Sequence, residues 1–89
     1  MLQRTVQLTN KLGLHARASM HLMDLACRFG SDIWIHYENK RADAKNILDV
    51  MVLGATLGST LILEADGEDA EAALEALLTL INDRFGESE

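Results

Sequence analysis

A chain of 89 residues that is 48% apolar is long enough for one packed core and too apolar for a disordered tail, although folding at this size buries only about 60–65% of the unfolded surface. Its formal net charge of −6 and its isoelectric point near 4.9 speak against a general nucleic-acid binder, which presents a basic face. A single cysteine, Cys27, excludes an internal disulfide framework and suits a reducing cytoplasm; three histidines show no zinc-ligand spacing, and neither a membrane span nor a signal peptide's apolar core is found.

Without proline, internal repeat or linker, the chain is expected to form one domain over residues 1–89. Leu2, Arg4, Val6 and Leu8 alternate with Gln3, Thr5, Gln7 and Thr9, the period of a half-buried strand ending near Thr9. Asn10, Lys11 and Gly13 then supply a loop. From Ala16 to about Arg28 the period becomes helical, with Ala18, Leu22, Leu25, Ala26 and Phe29 on one face and Gly30 as terminator. Met20, Met23 and Cys27 widen that apolar face. A strand from Ile33 to Glu38 follows, turning at Asn39-Lys40 into a short strand from Arg41 to Ala44.

Asn46 is placed to cap a helix that Gly54 stops after Leu53. Ile47, Leu48, Val50, Met51, Val52 and Leu53 nearly encircle it, so part of its surface is expected to meet a partner. Thr60 to Ala65 reads as the last strand, followed by an Asp66-Gly67 turn. The closing helix, Asp69 to Phe85, buries Ala70, Ala73, Leu74, Leu77, Leu78 and Ile81, with Arg84 in its last turn and Gly86 beyond it. The order βαββαβα implies an α+β fold, with antiparallel strands and the helices gathered on one side.

Charge is uneven along the chain. Residues 1–60 hold seven basic and five acidic residues, whereas residues 61–89 hold one basic and nine acidic. An anion-handling site is therefore expected in the earlier part. Gly13-Leu14-His15-Ala16-Arg17 delivers a histidine to the first turn of a helix, with an arginine two residues on. Free amides and the positive end of the dipole make such a terminus an anion site and disfavour a cationic imidazole, leaving a neutral, nucleophilic ring. A phosphoryl group on that ring would meet the amides of Ala16 and Arg17 and the Arg17 guanidinium. No second acid–base residue is evident there, which favours a carrier over a catalyst. By itself, the His-x-Arg pair also fits a solvated helix end.

Asn10-Lys11 followed by Gly13-Leu14-His15-Ala16-Arg17 closely resembles the phosphorylation site of the HPr family, the histidine phosphocarriers of the bacterial phosphoenolpyruvate-dependent phosphotransferase system. The likeness runs nearly the whole chain, and Thr9 to Gly13 with Ile81 to Glu89 look most like nitrogen-branch members. It implies an open-faced β-sandwich, four antiparallel strands covered on one face by three helices. It also implies His15 as the residue phosphorylated on Nδ1, Arg17 assisting transfer, and the Ala16 and Arg17 amides holding the phosphate. Enzyme I would be the donor and a IIA-type protein the acceptor. Both would dock on Met20, Met23 and Cys27 beside Ile47, Leu48 and Met51. The implied protein is a cytoplasmic monomer needing no cofactor or metal and binding neither nucleic acid nor membrane.

Three departures from common members matter. Ala18 replaces a frequent proline, which an alanine in a first turn tolerates. Asn46 stands where many Gram-positive carriers have a regulatory serine, so serine-kinase control is not expected. Asp24 and Cys27 replace lysines of several sugar-branch members, which weakens the case for sugar-branch partners. His21, roughly 240° around the helix from His15, cannot share a ligand with it and is expected on the surface. His36 is expected to face solvent or pack at a strand edge, Trp34 to cover the outer sheet face, and Ser19 to lie on the helix surface as a nucleophile without a base. Cys27 is expected to be a buried or interfacial thiol. Two other classes fit parts of the pattern: a regulatory binding module switched by phosphorylation of the same histidine, and a small ligand-binding α+β domain.

Overall fold

Alternation along four strands decides which face of the sheet is covered. The computed structural model describes residues 1–89. Strands β1 (Leu2–Gln7), β2 (Asp32–Tyr37), β3 (Lys40–Asp43) and β4 (Thr60–Asp66) form one antiparallel sheet in the order β1-β4-β2-β3. Val6, Ile33, Ile35, Ala42, Leu61, Leu63 and Ala65 point to the covered side and are buried. Helices α1 (Ala16–Ala26), α2 (Ile47–Val52) and α3 (Ala70–Asn82) supply the rest of the core, notably Leu22, Val50, Leu74, Leu77 and Ile81, each fully buried. Burying a side chain of this size contributes about 1.5–3 kcal/mol. The expected α+β architecture, an open four-stranded sheet with three helices, is the one observed. No helix is long and apolar enough to cross a membrane.

The open side carries Trp34, under the Arg41 guanidinium at 4.1 Å from the ring centre, and His36, whose Nε2 lies 3.0 Å from Glu64. His36 thus sits on an interior strand, half-buried and paired, rather than at an edge. Its hydrogen bond is the main reason the Glu64 carboxyl lies below the usual glutamate range.

Several boundaries differ from expectation. The β2–β3 turn is Glu38-Asn39, one residue early, with Tyr37 opposite Lys40 and Glu38 in the left-handed region. Helix α1 ends at Ala26, ahead of the expected end near Arg28. Arg28 and Phe29 donate to Leu25 and Ala26, tightening the last turn, and the Gly30 and Ser31 amides are claimed by the Asp69 carboxylate at 2.8 and 2.9 Å. Ser31 Oγ also donates to Asp69, the main cause of its carboxyl's lowered pKa. Helix α3 stops at Asn82, so Arg84 belongs to a separate 3-10 turn, Arg84–Gly86. Arg84 and Phe85 both take left-handed backbone, φ 54° and 55°, which turns the buried Phe85 ring into the core. That reversal sends the chain end back toward the start of α1.

Candidate functional site

The loop between β1 and α1 is held from two sides. Gly13 has φ 62°, and a Cβ there would lie 2.6 Å from the Ala55 carbonyl oxygen, so only glycine fits. Leu14 is buried beside it and its amide donates to Ala55 at 3.0 Å. His15 follows in extended backbone as the N-cap of α1; its carbonyl accepts from the Ser19 amide at 2.9 Å, and its side chain makes no capping bond. The amides of Ala16, Arg17 and Ala18 therefore lack intrahelical acceptors. Ser19, expected on the helix surface, is fully buried and donates its hydroxyl to the Leu14 carbonyl at 3.1 Å. It fastens the loop to the helix and is not a free nucleophile.

The imidazole is not alone. Its Nε2 lies 2.5 Å from Glu87 Oε2, brought there by the turn at Phe85. Asn10, wholly buried, donates from Nδ2 to Gly13 O at 2.8 Å and to Glu87 Oε1 at 3.0 Å. Burial raises the Glu87 carboxyl, but the bonds from Asn10 and His15 and the charges of His15 and Arg17 outweigh it and leave the pKa below the usual glutamate value. Glu87 is thus ionised near neutral pH and accepts only. The His15 nitrogen facing it, Nε2, is placed to donate, and Nδ1 is the ring nitrogen turned away from the carboxylate. An exposed pair, Lys11 with Glu89 at 3.3 Å, adds little to the closure.

An open cleft of about 370 Å³ lies between Lys11, Leu12, His15 and Arg17 on one side and residues 87–89 on the other. Leu12 is its one apolar lining residue. Arg17 is exposed and has no ion-pair partner, so its guanidinium is available to an anion. His15 and Arg17 lie in the less acidic part of the chain, and the acidic end folds onto them through Glu87.

Sequence reasoning missed Glu87 and the role of Asn10. Glu87 lies in a short polar ending with no periodicity, and Asn10 reads as an ordinary turn residue. The side chains of the expected docking face differ in exposure. Met20, Leu48 and Met51 are exposed, Met23 and Ile47 half-buried, and α1 packs against α2. Cys27 is exposed rather than buried, its Sγ 3.8 Å from Met23 Sδ, and His21 is exposed as expected. No group of three His, Cys, Asp or Glu side chains is placed to hold a metal.

Residues 2–83 match the family model described as PTS HPr component phosphorylation site. The chain is 52% identical over 89 residues to phosphocarrier protein HPr of Cupriavidus necator, with 100% of both chains covered. It is 41% identical over 87 residues to phosphocarrier protein NPr of Shewanella violacea, covering 98% of this chain and 96% of that one. Among solved structures, HPr-C-His from Thermoanaerobacter tengcongensis superposes with a TM-score of 0.96 at 40% identity, with 100% of both chains covered.

Proposed function

This chain belongs to the HPr family of phosphotransferase-system phosphocarriers, and we propose on that footing that it takes a phosphoryl group onto Nδ1 of His15 from enzyme I and hands it to a IIA-type protein. The observation that carries the reading is the open first turn of α1, which sets an uncapped helix start and an unpaired Arg17 beside the His15 ring. In the transfer, the Nδ1 lone pair forms the new N–P bond while the donor's N–P bond breaks and returns its electron pair to the donor ring. The phosphoryl oxygens then face the Ala16 and Arg17 amides and the Arg17 guanidinium, donors that need no rearrangement. The chain acts stoichiometrically, as a carrier and not as an enzyme. Donor and acceptor dock across Met20, Met23 and Cys27 of the α1 side and Ile47, Leu48 and Met51 of α2.

The branch is a finer step. Relatives carry both names, so the reading rests on the docking side, where exposed Asp24 and Cys27 stand in place of sugar-branch lysines. It favours a IIA-type acceptor of the nitrogen-related regulatory branch.

The test is incubation with phosphoenolpyruvate and cognate enzyme I. We expect an acid-labile mass gain of one phosphoryl group, absent in His15→Ala, and faster transfer to a nitrogen-type than to a sugar-type IIA protein. No adduct from an enzyme I that phosphorylates another family member would overturn the carrier reading. Faster transfer to the sugar-type acceptor would overturn the branch alone.

A further inference from the structure

We propose that Glu87 is a positioning residue for His15, and that buried Asn10 holds it in place. The claim rests on the carrier reading for its consequence, but on independent geometry for its substance. Glu87 Oε2 lies 2.5 Å from Nε2 of the ring, and its other oxygen takes the Asn10 amide at 3.0 Å. The same Asn10 amide nitrogen donates to Gly13 O at 2.8 Å, inside the loop that presents His15. Loop, carboxylate and ring thus form one connected chain of hydrogen bonds: Gly13 carbonyl, Asn10 amide, Glu87 carboxylate, His15 Nε2–H.

Two features separate this from a chance surface ion pair. First, Glu87 and His15 are mostly sheltered, with 19% and 26% of their side-chain surfaces exposed, so the contact is less screened than an exposed pair. Second, Asn10 meets its two acceptors at a cost. Its Oδ1 is buried without a donor, a penalty on the order of 1–3 kcal/mol. A residue needed only to fill space would be better apolar; the amide is needed where two acceptors converge.

The chemical consequence is specific. An ionised carboxylate on Nε2–H fixes the ring's rotation and the tautomer with Nδ1 unprotonated, the arrangement a carboxylate imposes on working histidines in general. When the Nδ1 lone pair forms a bond to phosphorus, the ring gains positive charge and the Nε2 proton stays put. Glu87 then stabilises that charge from the side away from the incoming group, while Arg17 and the free amides face the phosphoryl oxygens.

Glu87→Ala tests the assignment, with circular dichroism and thermal unfolding to confirm that the fold persists. Proton and nitrogen NMR of the unphosphorylated wild type should show a low-field, slowly exchanging proton on His15 Nε2, lost in Glu87→Ala. The second-order rate of phosphoryl uptake from phosphorylated enzyme I should fall about tenfold, the scale on which orienting partners of a histidine are felt. Asn10→Ala should broaden the same ring proton and lower the rate less. An unchanged ring-proton signal in Glu87→Ala, or an unchanged or increased rate beside an active wild type, would overturn the proposal. A wild type that takes up no phosphoryl group would overturn the carrier reading instead, and the ring-proton comparison would still decide the role of Glu87.

Discussion

Helix α2 closes its own first turn: Asn46 Oδ1 accepts from the amides of Leu48 and Asp49 at 3.0 and 3.2 Å. At the start of α1 the corresponding residue is His15, whose ring turns away to Glu87 and leaves the first amides without a side-chain acceptor. The backbone physics is the same in both places. One end is satisfied internally and gains about 1 kcal/mol from its cap; the other has first-turn donors without a side-chain acceptor. Helix α3 shows that a missing cap is not sufficient. Its N-cap, Asp69, also makes no capping bond, but its carboxylate is spent on Gly30 and Ser31, and Glu71 fills the first turn with negative charge. The proposed site needs open amides, a nearby cation and a histidine held in place, and α1 brings the three together.

The largest break in this contrast should come from the loop that holds α1's start open. Gly13→Val places a side chain against the Ala55 carbonyl and forces a left-handed β-branched residue, so it should cost roughly 2–4 kcal/mol in chemical unfolding. It should also disable phosphoryl uptake by displacing His15. Removing the cap of α2 is milder. Asn46→Ala should cost about 1 kcal/mol while leaving the His15 ring-proton spectrum unchanged. Converting α1's end into α2's is the sharper exchange: His15→Asn gives the helix its own cap and should raise stability by about 0.5 kcal/mol as it abolishes carriage. A fall in stability there would mean that the Glu87 contact outweighs the cap.

The smallest effect is one of pH. Glu87 is more acidic in the folded chain than its usual value of 4.5, so its contribution is present above that pH and lost as pH falls through the folded value. The difference in Tm between wild type and Glu87→Ala should therefore be visible at pH 7 and shrink as pH falls below 4.5. A difference that grew as pH fell below 4.5 would contradict the sign.

Periodicity made the fold legible. Strand alternation at Val6, Ile33, Ile35, Leu61 and Leu63 and helical spacing at Ala18, Leu22, Leu74, Leu77 and Ile81 each place the residue on the side where it is buried. The ends of α1 and α3 were less legible, because they are set by long-range contacts: Asp69 reaching across to Gly30 and Ser31, and Phe85 turning inward through left-handed backbone. At the site, the His15 and Arg17 positions follow from a local motif and helix-end electrostatics. Glu87 does not, since 72 residues separate it from His15 and its neighbours are polar and aperiodic. Asn10 reads as a turn former, and its partner Glu87 is likewise distant in sequence, 77 residues on.

The most direct test of the open α1 start is NMR of the phosphorylated chain with nitrogen-15 labelling. Phosphorus should be bonded to Nδ1 of His15, with the Ala16 and Arg17 amide protons moved to low field and those of Leu48 and Asp49 unmoved. Phosphorus on Nε2, or Ala16 and Arg17 amides that do not respond, would contradict it.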